Sequence, residues 1–148
     1  MSILISQKIL ASIREELSQS RESFLLISAY CKLPLVQYFD SCISSEIEKK
    51  LVVRFREDDL LSGASDLDIY PYCREHGWKL YFRLDLHAKT YVFDRLRCII
   101  GSANATCSGL SIGGIGNYEM AAVCPLAESD IKILDRLLLG SVEMNDVL

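Results

Sequence analysis

The stretch from Ser23 to Tyr30 (SFLLISAY) constrains the fold more than any other part of the chain, because it is apolar almost without interruption. A strand with one face in water alternates apolar and polar residues, whereas a continuous apolar run indicates a strand that is covered on both faces. A second strand is predicted at Lys50 to Phe55 (KLVVRF), after Leu33 to Ile47, which returns to a helical period. This order predicts a β-α-β unit with helices against both faces of a sheet.

The rest of the chain continues this pattern. Helices are predicted over 5–19, Asp66–His76 and Glu128–Leu139, and strands over Trp78–Leu84, Ala88–Phe93, Arg97–Ile100 and Tyr118–Val123. The short turn 94–96 indicates a hairpin, and the glycine-rich residues 108–116 indicate a flexible loop. We therefore expect the α/β class, a mixed β-sheet sandwiched by helices, in a single domain over 1–148 with a frayed tail at 142–148.

The composition indicates in which compartment this domain is expected and which bound groups it is expected to lack. The six cysteines are spread along the 148 residues without a CxxC pair, which favours free thiols in a reducing cytoplasm over disulfides. Cys73 and His76 have a metal-like spacing, but no second pair completes a zinc set, so we expect no metal and no cofactor. The start of the chain does not have the pattern of a signal peptide, and no apolar stretch is long enough for a membrane span. A cytoplasmic protein without membrane contact is therefore expected.

The residues that suit chemistry lie between positions 86 and 119. His87 and Lys89 are two apart on a predicted strand and so share one face, and Asn104 and Glu119 follow at the ends of later strands. Histidine can attack a phosphate or donate a proton, while lysine and asparagine can hold its oxygens. Each residue alone is more often structural than catalytic, so the prediction depends on their spacing.

The pattern His87-x-Lys89-x4-Asp94-x6-Gly101-Ser102-x-Asn104 resembles the HKD motif of the phospholipase D superfamily, and the later Asn117-x-Glu119 agrees with it. The resemblance implies a phospholipase D-like fold and a metal-independent phosphodiesterase with a phosphohistidine intermediate. It implies His87 as the nucleophile, Lys89 and Asn104 as phosphate ligands, and Glu119 as the acceptor of the His87 Nδ1–H. Ser102 and Asn117 would support the site, and Asp94 would cap the hairpin rather than touch substrate.

The chain contains one HKD motif, whereas superfamily members with a complete site in one chain contain two. The leaving oxygen still needs a proton, and short members of the superfamily supply it from a second copy. We therefore expect a homodimer with twofold symmetry, its active site at the interface, in which one His87 attacks and its partner acts as general acid.

Three functions remain open at this point. The resemblance to short bacterial nucleases and to the phospholipase D-like domain of restriction endonucleases favours a nuclease that cleaves DNA or RNA. The net charge of −4 argues against this, but residues 71–100 hold six Lys or Arg against three Asp or Glu, a local basic stripe around the motif.

A phospholipase or small-phosphodiester hydrolase is the second possibility, if Leu110, Ile112 and Ile115 form an apolar rim rather than a packed loop. The third is a non-catalytic nucleic-acid-binding or dimerisation module, a possible partner of other subunits in a restriction or defence system. The complete set of chemical residues argues against this third possibility.

Overall fold

A computed structural model of the chain describes residues 2–145. Eight strands lie within these residues, and they form one sheet. The strands are β1 (Ile3–Ile5), β2 (Ser23–Ser28), β3 (Glu48–Val53), β4 (Trp78–Phe82), β5 (Lys89–Phe93), β6 (Arg97–Gly101), β7 (Met120–Pro125) and β8 (Val142–Glu143). The helices in the same part of the chain are α1 (Gln7–Gln19), α2 (Leu33–Cys42), α3 (Glu57–Leu61), α4 (Ile69–His76), α5 (Cys107–Leu110) and α6 (Glu128–Leu139).

The sheet is mixed, in the order β1-β7-β6-β5-β2-β3-β4-β8. β2, β3 and β4 are parallel neighbours, while β5 pairs antiparallel with β2 and continues into the predicted hairpin with β6. β2 lies at the centre and buries Phe24, Leu26 and Ile27 almost completely. The predicted α/β class and the central apolar strand are therefore confirmed.

Helices cover the two faces of this sheet unequally. On one face, α1 and α2 bury side chains such as Ile13 and Phe39 in the main core, where Phe24 stacks on Phe93 at 5.6 Å. On the other face, α6 places Leu134 and Leu137 against a smaller cluster that includes Ile27 and Val52. This second face is only partly covered, because α6 is the one helix whose apolar residues join that cluster within the described residues.

Several predicted boundaries are wrong by a few residues. The first helix begins at Gln7 rather than at residue 5, because Ile3–Ile5 pairs with β7 as an edge strand. The second helix ends at Cys42 rather than at Ile47. Pro71 is tolerated in α4 because the helix begins only at Ile69, so the proline lies in its first turn, where an N–H would have no partner.

The observed strand boundaries also differ from the predicted ones, because backbone pairing rather than hydropathy sets where a strand begins and ends. β3 begins at Glu48 instead of Lys50 and ends at Val53, and its polar first residues pair with the start of β2. β7 spans Met120–Pro125 rather than Tyr118–Val123.

The glycine-rich loop and the tail are more regular than predicted. Residues 107–114 contain α5 and a short 3-10 turn, and Leu110 is fully buried in the main core. Val142–Glu143 pairs with β4 as β8, so this part of the tail belongs to the sheet. Residues 146–148 of the predicted tail lie outside the described residues.

All six cysteines are free, in agreement with the interpretation of their spacing. Across residues 2–145, each helix is too short or too polar to span a lipid bilayer.

Candidate active site

One edge of the sheet brings together the predicted site residues other than Asp94. β2 and β3 end at this edge, β5 begins there, and β6 ends there next to the start of β7. Lys89, the first residue of β5, is paired with Ser28, the last residue of β2. The carboxyl ends of parallel strands are where open α/β sheets bind ligands, because the adjoining loops leave a crevice there.

His87 and Lys89 are in contact at this edge. The Lys89 Nζ lies 3.2 Å from Nδ1 and 3.3 Å from Nε2 of the His87 ring, so the ammonium lies beside the whole imidazole. His87 is exposed, whereas Lys89 is half-buried. Burial lowers the pKa of Lys89 below its usual value; the Glu119 carboxylate opposes this effect and the Arg54 guanidinium adds to it. A cation and an imidazole therefore face solvent together, as the attack on a phosphate requires.

Ser102, Asn117 and Glu119 form a second group beside the first. The Ser102 hydroxyl donates to Glu119 Oε1 at 2.5 Å, and Asn117 Nδ2 donates to Oε2 at 3.1 Å. Ser102 also accepts from the Met120 N–H at 3.1 Å, which fixes it at the first residue of β7. Within the described residues, no hydrogen bond joins His87 to Glu119 as the resemblance implies; Ser102 and Asn117 donate to the two oxygens of that carboxylate.

Asn104 lies on the other side of the site and is fixed through its side-chain oxygen. Asn104 Oδ1 accepts from the Tyr30 N–H at 3.2 Å and lies 3.3 Å from the Ser28 hydroxyl, which donates more closely to the Tyr30 carbonyl at 2.5 Å. Ser28 also accepts from the Ala105 N–H at 2.8 Å. Because the oxygen is engaged, the amide group that remains to face a ligand is the donor Nδ2, which suits an anion.

Asp94 lies at the opposite end of β5 from Lys89, in the turn to β6. Its carboxylate accepts from the backbone N–H groups of Arg21, Glu22 and Ser23 at 2.8–3.1 Å. These contacts connect the hairpin to the start of β2, so Asp94 has a structural position away from the site.

Comparisons with known proteins bear on this arrangement. The sequence matches the model of a family described as the cardiolipin synthase, PLD-like domain, over residues 13–136. That match covers most of the chain and contains His87, Lys89, Asn104 and Glu119. The chain belongs to this PLD-like family. A search of curated proteins finds no match.

Solved structures share the PLD-like fold at low sequence identity. NucT from Helicobacter pylori matches with a TM-score of 0.69 at 15% identity, covering 97% of this chain and 98% of that one. Nuc from Salmonella typhimurium, described as a phospholipase D family member, matches with 0.69 at 13%, covering 98% and 99%. TrmBL2, described as an archaeal chromatin protein with a novel mode of DNA binding, matches with 0.60 at 10%, covering 97% of this chain and 55% of that one.

This PLD-like domain has a buried ion pair beside its site that the sequence analysis missed. Arg54 follows β3 and is 8% exposed. Its Nη2 donates to Asp59 Oδ1 at 2.7 Å and to the Tyr30 hydroxyl at 2.8 Å, and its Nε donates to Asp59 Oδ2 at 2.9 Å. The sequence signal for this ion pair is an arginine that directly follows the apolar residues of β3 and precedes an aspartate by five positions.

The predicted basic stripe is divided by the fold of the PLD-like domain. Lys89 and Arg83 lie at the site edge, but Arg95 and Arg97 lie at the far end of the hairpin. Three of these cations are in ion pairs, Arg83 with Asp85, Arg95 with Asp135 and Arg97 with Glu16. Residues 71–100 therefore do not present one continuous basic surface. Within the described residues, no group of three His, Cys, Asp or Glu is placed to hold a metal ion.

Proposed function

We propose that the protein is a metal-independent phosphodiesterase that cleaves nucleic acid, with His87 as its nucleophile. The observation that carries this proposal is the contact of the Lys89 ammonium with both nitrogens of an exposed His87 ring, at 3.2 and 3.3 Å. A phosphate that reaches the imidazole also meets the ammonium, which neutralises the charge that develops in the transition state.

The chemistry requires two steps. In the first, a ring nitrogen of His87 attacks phosphorus, a P–N bond forms, and the bond to the leaving oxygen breaks as a general acid protonates that oxygen. In the second, water attacks phosphorus and loses a proton to the same acid–base group, and the P–N bond breaks. Lys89 and the Nδ2 donor of Asn104 hold the non-bridging oxygens throughout.

The general acid points to a homodimer. The chain contains two histidines, and the second, His76, ends α4 at the opposite edge of the sheet, where its ring stacks on Tyr72 at 4.0 Å. It cannot reach a phosphate at His87. A second copy of His87, brought across a twofold axis, supplies the missing acid.

An exposed apolar surface beside the site supports this dimer. Ile100 is 48% exposed and Met120 is 50% exposed, and both lie on the sheet face that α6 leaves partly uncovered. These two residues flank Gly101 and Ser102. Apolar side chains next to an incomplete site are typical of a surface that a partner covers.

A nucleic-acid substrate is favoured over a lipid by the glycine-rich loop. Of the three side chains that were candidates for an acyl-chain rim, Leu110 is fully buried and Ile112 packs against the core, so Ile115 alone is strongly exposed. The loop is therefore a packed element rather than an apolar rim.

The test is cleavage in EDTA of single-stranded DNA, double-stranded DNA and RNA by the wild type and by His87→Ala. We expect wild-type cleavage that persists in EDTA and is lost in the variant. No wild-type cleavage of any nucleic acid, or equal cleavage by the variant, contradicts the proposal. Headgroup release from phospholipid vesicles without nucleic-acid cleavage indicates the lipid hydrolase. Binding of nucleic acid by the wild type and by His87→Ala, without turnover by either, indicates the non-catalytic module.

A further inference from the structure

A groove runs along the outer side of α1 toward the active site. It consists of two adjoining cavities of about 390 and 460 Å³, which share Gln7, Lys8, Ser111 and Gly114 in their walls. α1 forms one wall and residues 111–116 form the other. The first cavity extends along the helix to Arg14, and the second ends at Asn117 and Tyr118.

Hydrogen bonds fix both walls of the groove. Gln7 Nε2 donates to the Gly114 carbonyl at 3.1 Å across it, and the Ser6 N–H donates to the Glu119 carbonyl at 3.0 Å. Gly116 approaches so closely that a Cβ there would lie 2.5 Å from the Ser108 carbonyl oxygen. The groove is therefore a preformed feature of the fold.

The electrostatics of the groove differ from those of the whole chain. Lys8 and Arg14 line it, and no carboxylate does, although the chain carries a net charge of −4. Both cations are exposed, and neither forms an ion pair within residues 2–145. Arg83, Arg95 and Arg97, in contrast, are each paired with an acid. Exposed cations that form no ion pair are suited to a polyanion.

The groove ends at the site with an exposed aromatic ring. Tyr118 is 72% exposed and lies between Asn117 and Glu119, which are joined by a hydrogen bond of 3.1 Å. Nucleobases stack on exposed aromatic rings, and cations beside such rings follow the phosphate backbone of a single strand.

We propose that this groove binds a single strand of nucleic acid and leads it to the active site, with Lys8 and Arg14 on phosphates and Tyr118 under a base. This inference rests on the proposed function, because it names the path of that substrate. Each phosphate contact on a single strand contributes about 0.7 to the slope of log affinity against log salt. Two contacts contribute about 1.4, which corresponds to about 25-fold in affinity at 0.1 M relative to 1 M salt.

The experiment measures the binding of a fluorescent 12-nucleotide single-stranded DNA over a range of salt, in a His87→Gln background that prevents turnover. We expect Lys8→Gln/Arg14→Gln to reduce the salt slope by about 1.4 and to weaken binding at 0.1 M salt by about 25-fold. Tyr118→Ala is expected to weaken binding about 5- to 150-fold, the loss of one stacked base. The matched control is Lys79→Gln/Lys132→Gln, which removes the same charge from exposed positions outside the groove.

Thermal unfolding of each variant separates loss of binding from loss of fold. If the groove and control variants weaken binding equally, the proposed role of the groove is overturned. It is also overturned if duplex DNA or anionic vesicles bind more tightly than the single strand and the groove variants leave that binding unchanged. Wild-type cleavage with no groove effect overturns this inference alone. Groove-dependent binding by an inactive wild type overturns the proposed hydrolysis alone.

Discussion

Lys89 is the residue in which burial and chemistry conflict most directly. Its ammonium is useful only while charged, yet burial lowers its pKa below the ordinary value of a lysine, and the nearby Arg54 lowers it further. Glu119 opposes both effects. Because a free lysine titrates near 10.4, the site is expected to lose its phosphate-binding charge at a lower pH than an exposed lysine would.

Lys89→Arg tests this directly. An arginine stays charged throughout the accessible pH range, so the variant should lose the alkaline fall in kcat/KM even though its kcat is lower, by roughly 10- to 1000-fold if the flat guanidinium misplaces the charge. The measurement is a pH–rate profile from pH 6 to 10.5. Lys79→Arg, at an exposed position, should keep the wild-type profile, and an unchanged alkaline limb in Lys89→Arg argues against titration of Lys89.

At the scale of elements, Asp94 joins the β5–β6 turn to the start of β2. Burial of its carboxyl group opposes ionisation, but three backbone N–H bonds and the charge of Arg97 outweigh this and lower its pKa. A group with a lowered folded pKa stabilises above its unfolded pKa of about 3.9, and that stabilisation is lost as pH falls through the folded value. Asp94→Ala should therefore reduce the free energy of unfolding at pH 7 by about 1–3 kcal/mol.

The measurement for Asp94→Ala is urea unfolding at pH 7 and at pH 3. The difference from wild type should shrink at pH 3, and a difference that is equal at both pH values contradicts the electrostatic part of the argument. Asp135→Ala is the control, because its pair with Arg95 lies at the surface and should affect stability much less.

Gly101 sets the spacing of β6 and β7 next to Ser102. A Cβ at this position would lie 2.2 Å from the Met120 carbonyl oxygen and 2.6 Å from the Ala121 Cα, both of which are backbone atoms that cannot move away alone. Gly101→Ala should cost about 1–3 kcal/mol of stability through overpacking and should also reduce activity by displacing Ser102.

Thermal unfolding and cleavage assays test Gly101→Ala against Gly140→Ala. At Gly140 the nearest atom to an added Cβ belongs to the end of the flexible Arg83 side chain, so the control should fold and react like the wild type. Equal behaviour of the two variants would show that β7 moves to accommodate the methyl group.

Elements formed by local patterns were predictable, and those formed by pairing were not. The apolar run at Phe24–Ile27 and the apolar period of Glu128–Leu139 predicted the strand β2 and the helix α6, because the spacing of the apolar residues indicates the local structure. Ile3–Ile5 becomes a strand only because β7 lies beside it, which no local pattern shows. The same holds for the site. The two-residue spacing predicted that His87 and Lys89 would share one face, whereas the Arg54–Asp59 pair depends on where β3 ends.

At the scale of the whole molecule, each chain places one imidazole, that of His87, at the site edge of the sheet. The main core gives this chain its own interior, so the partner that the proposed mechanism requires would serve the chemistry rather than the folding. A protein of this kind should exist as a folded monomer at high dilution and gain activity as the chains associate.

Subunit mixing measures whether two copies of His87 serve one reaction. Wild type at a fixed amount is equilibrated with an equal amount of His87→Ala, so that random exchange leaves about half of the wild-type chains in wild-type pairs. If each reaction needs both imidazoles, cleavage falls to about half, and a tenfold excess of the variant reduces it to about a tenth. If one chain suffices, cleavage stays constant at every ratio, which contradicts the shared site. Energy transfer between labelled subunits checks that the chains exchange. Unchanged activity in a mixed population then means that one chain suffices, and not that exchange failed.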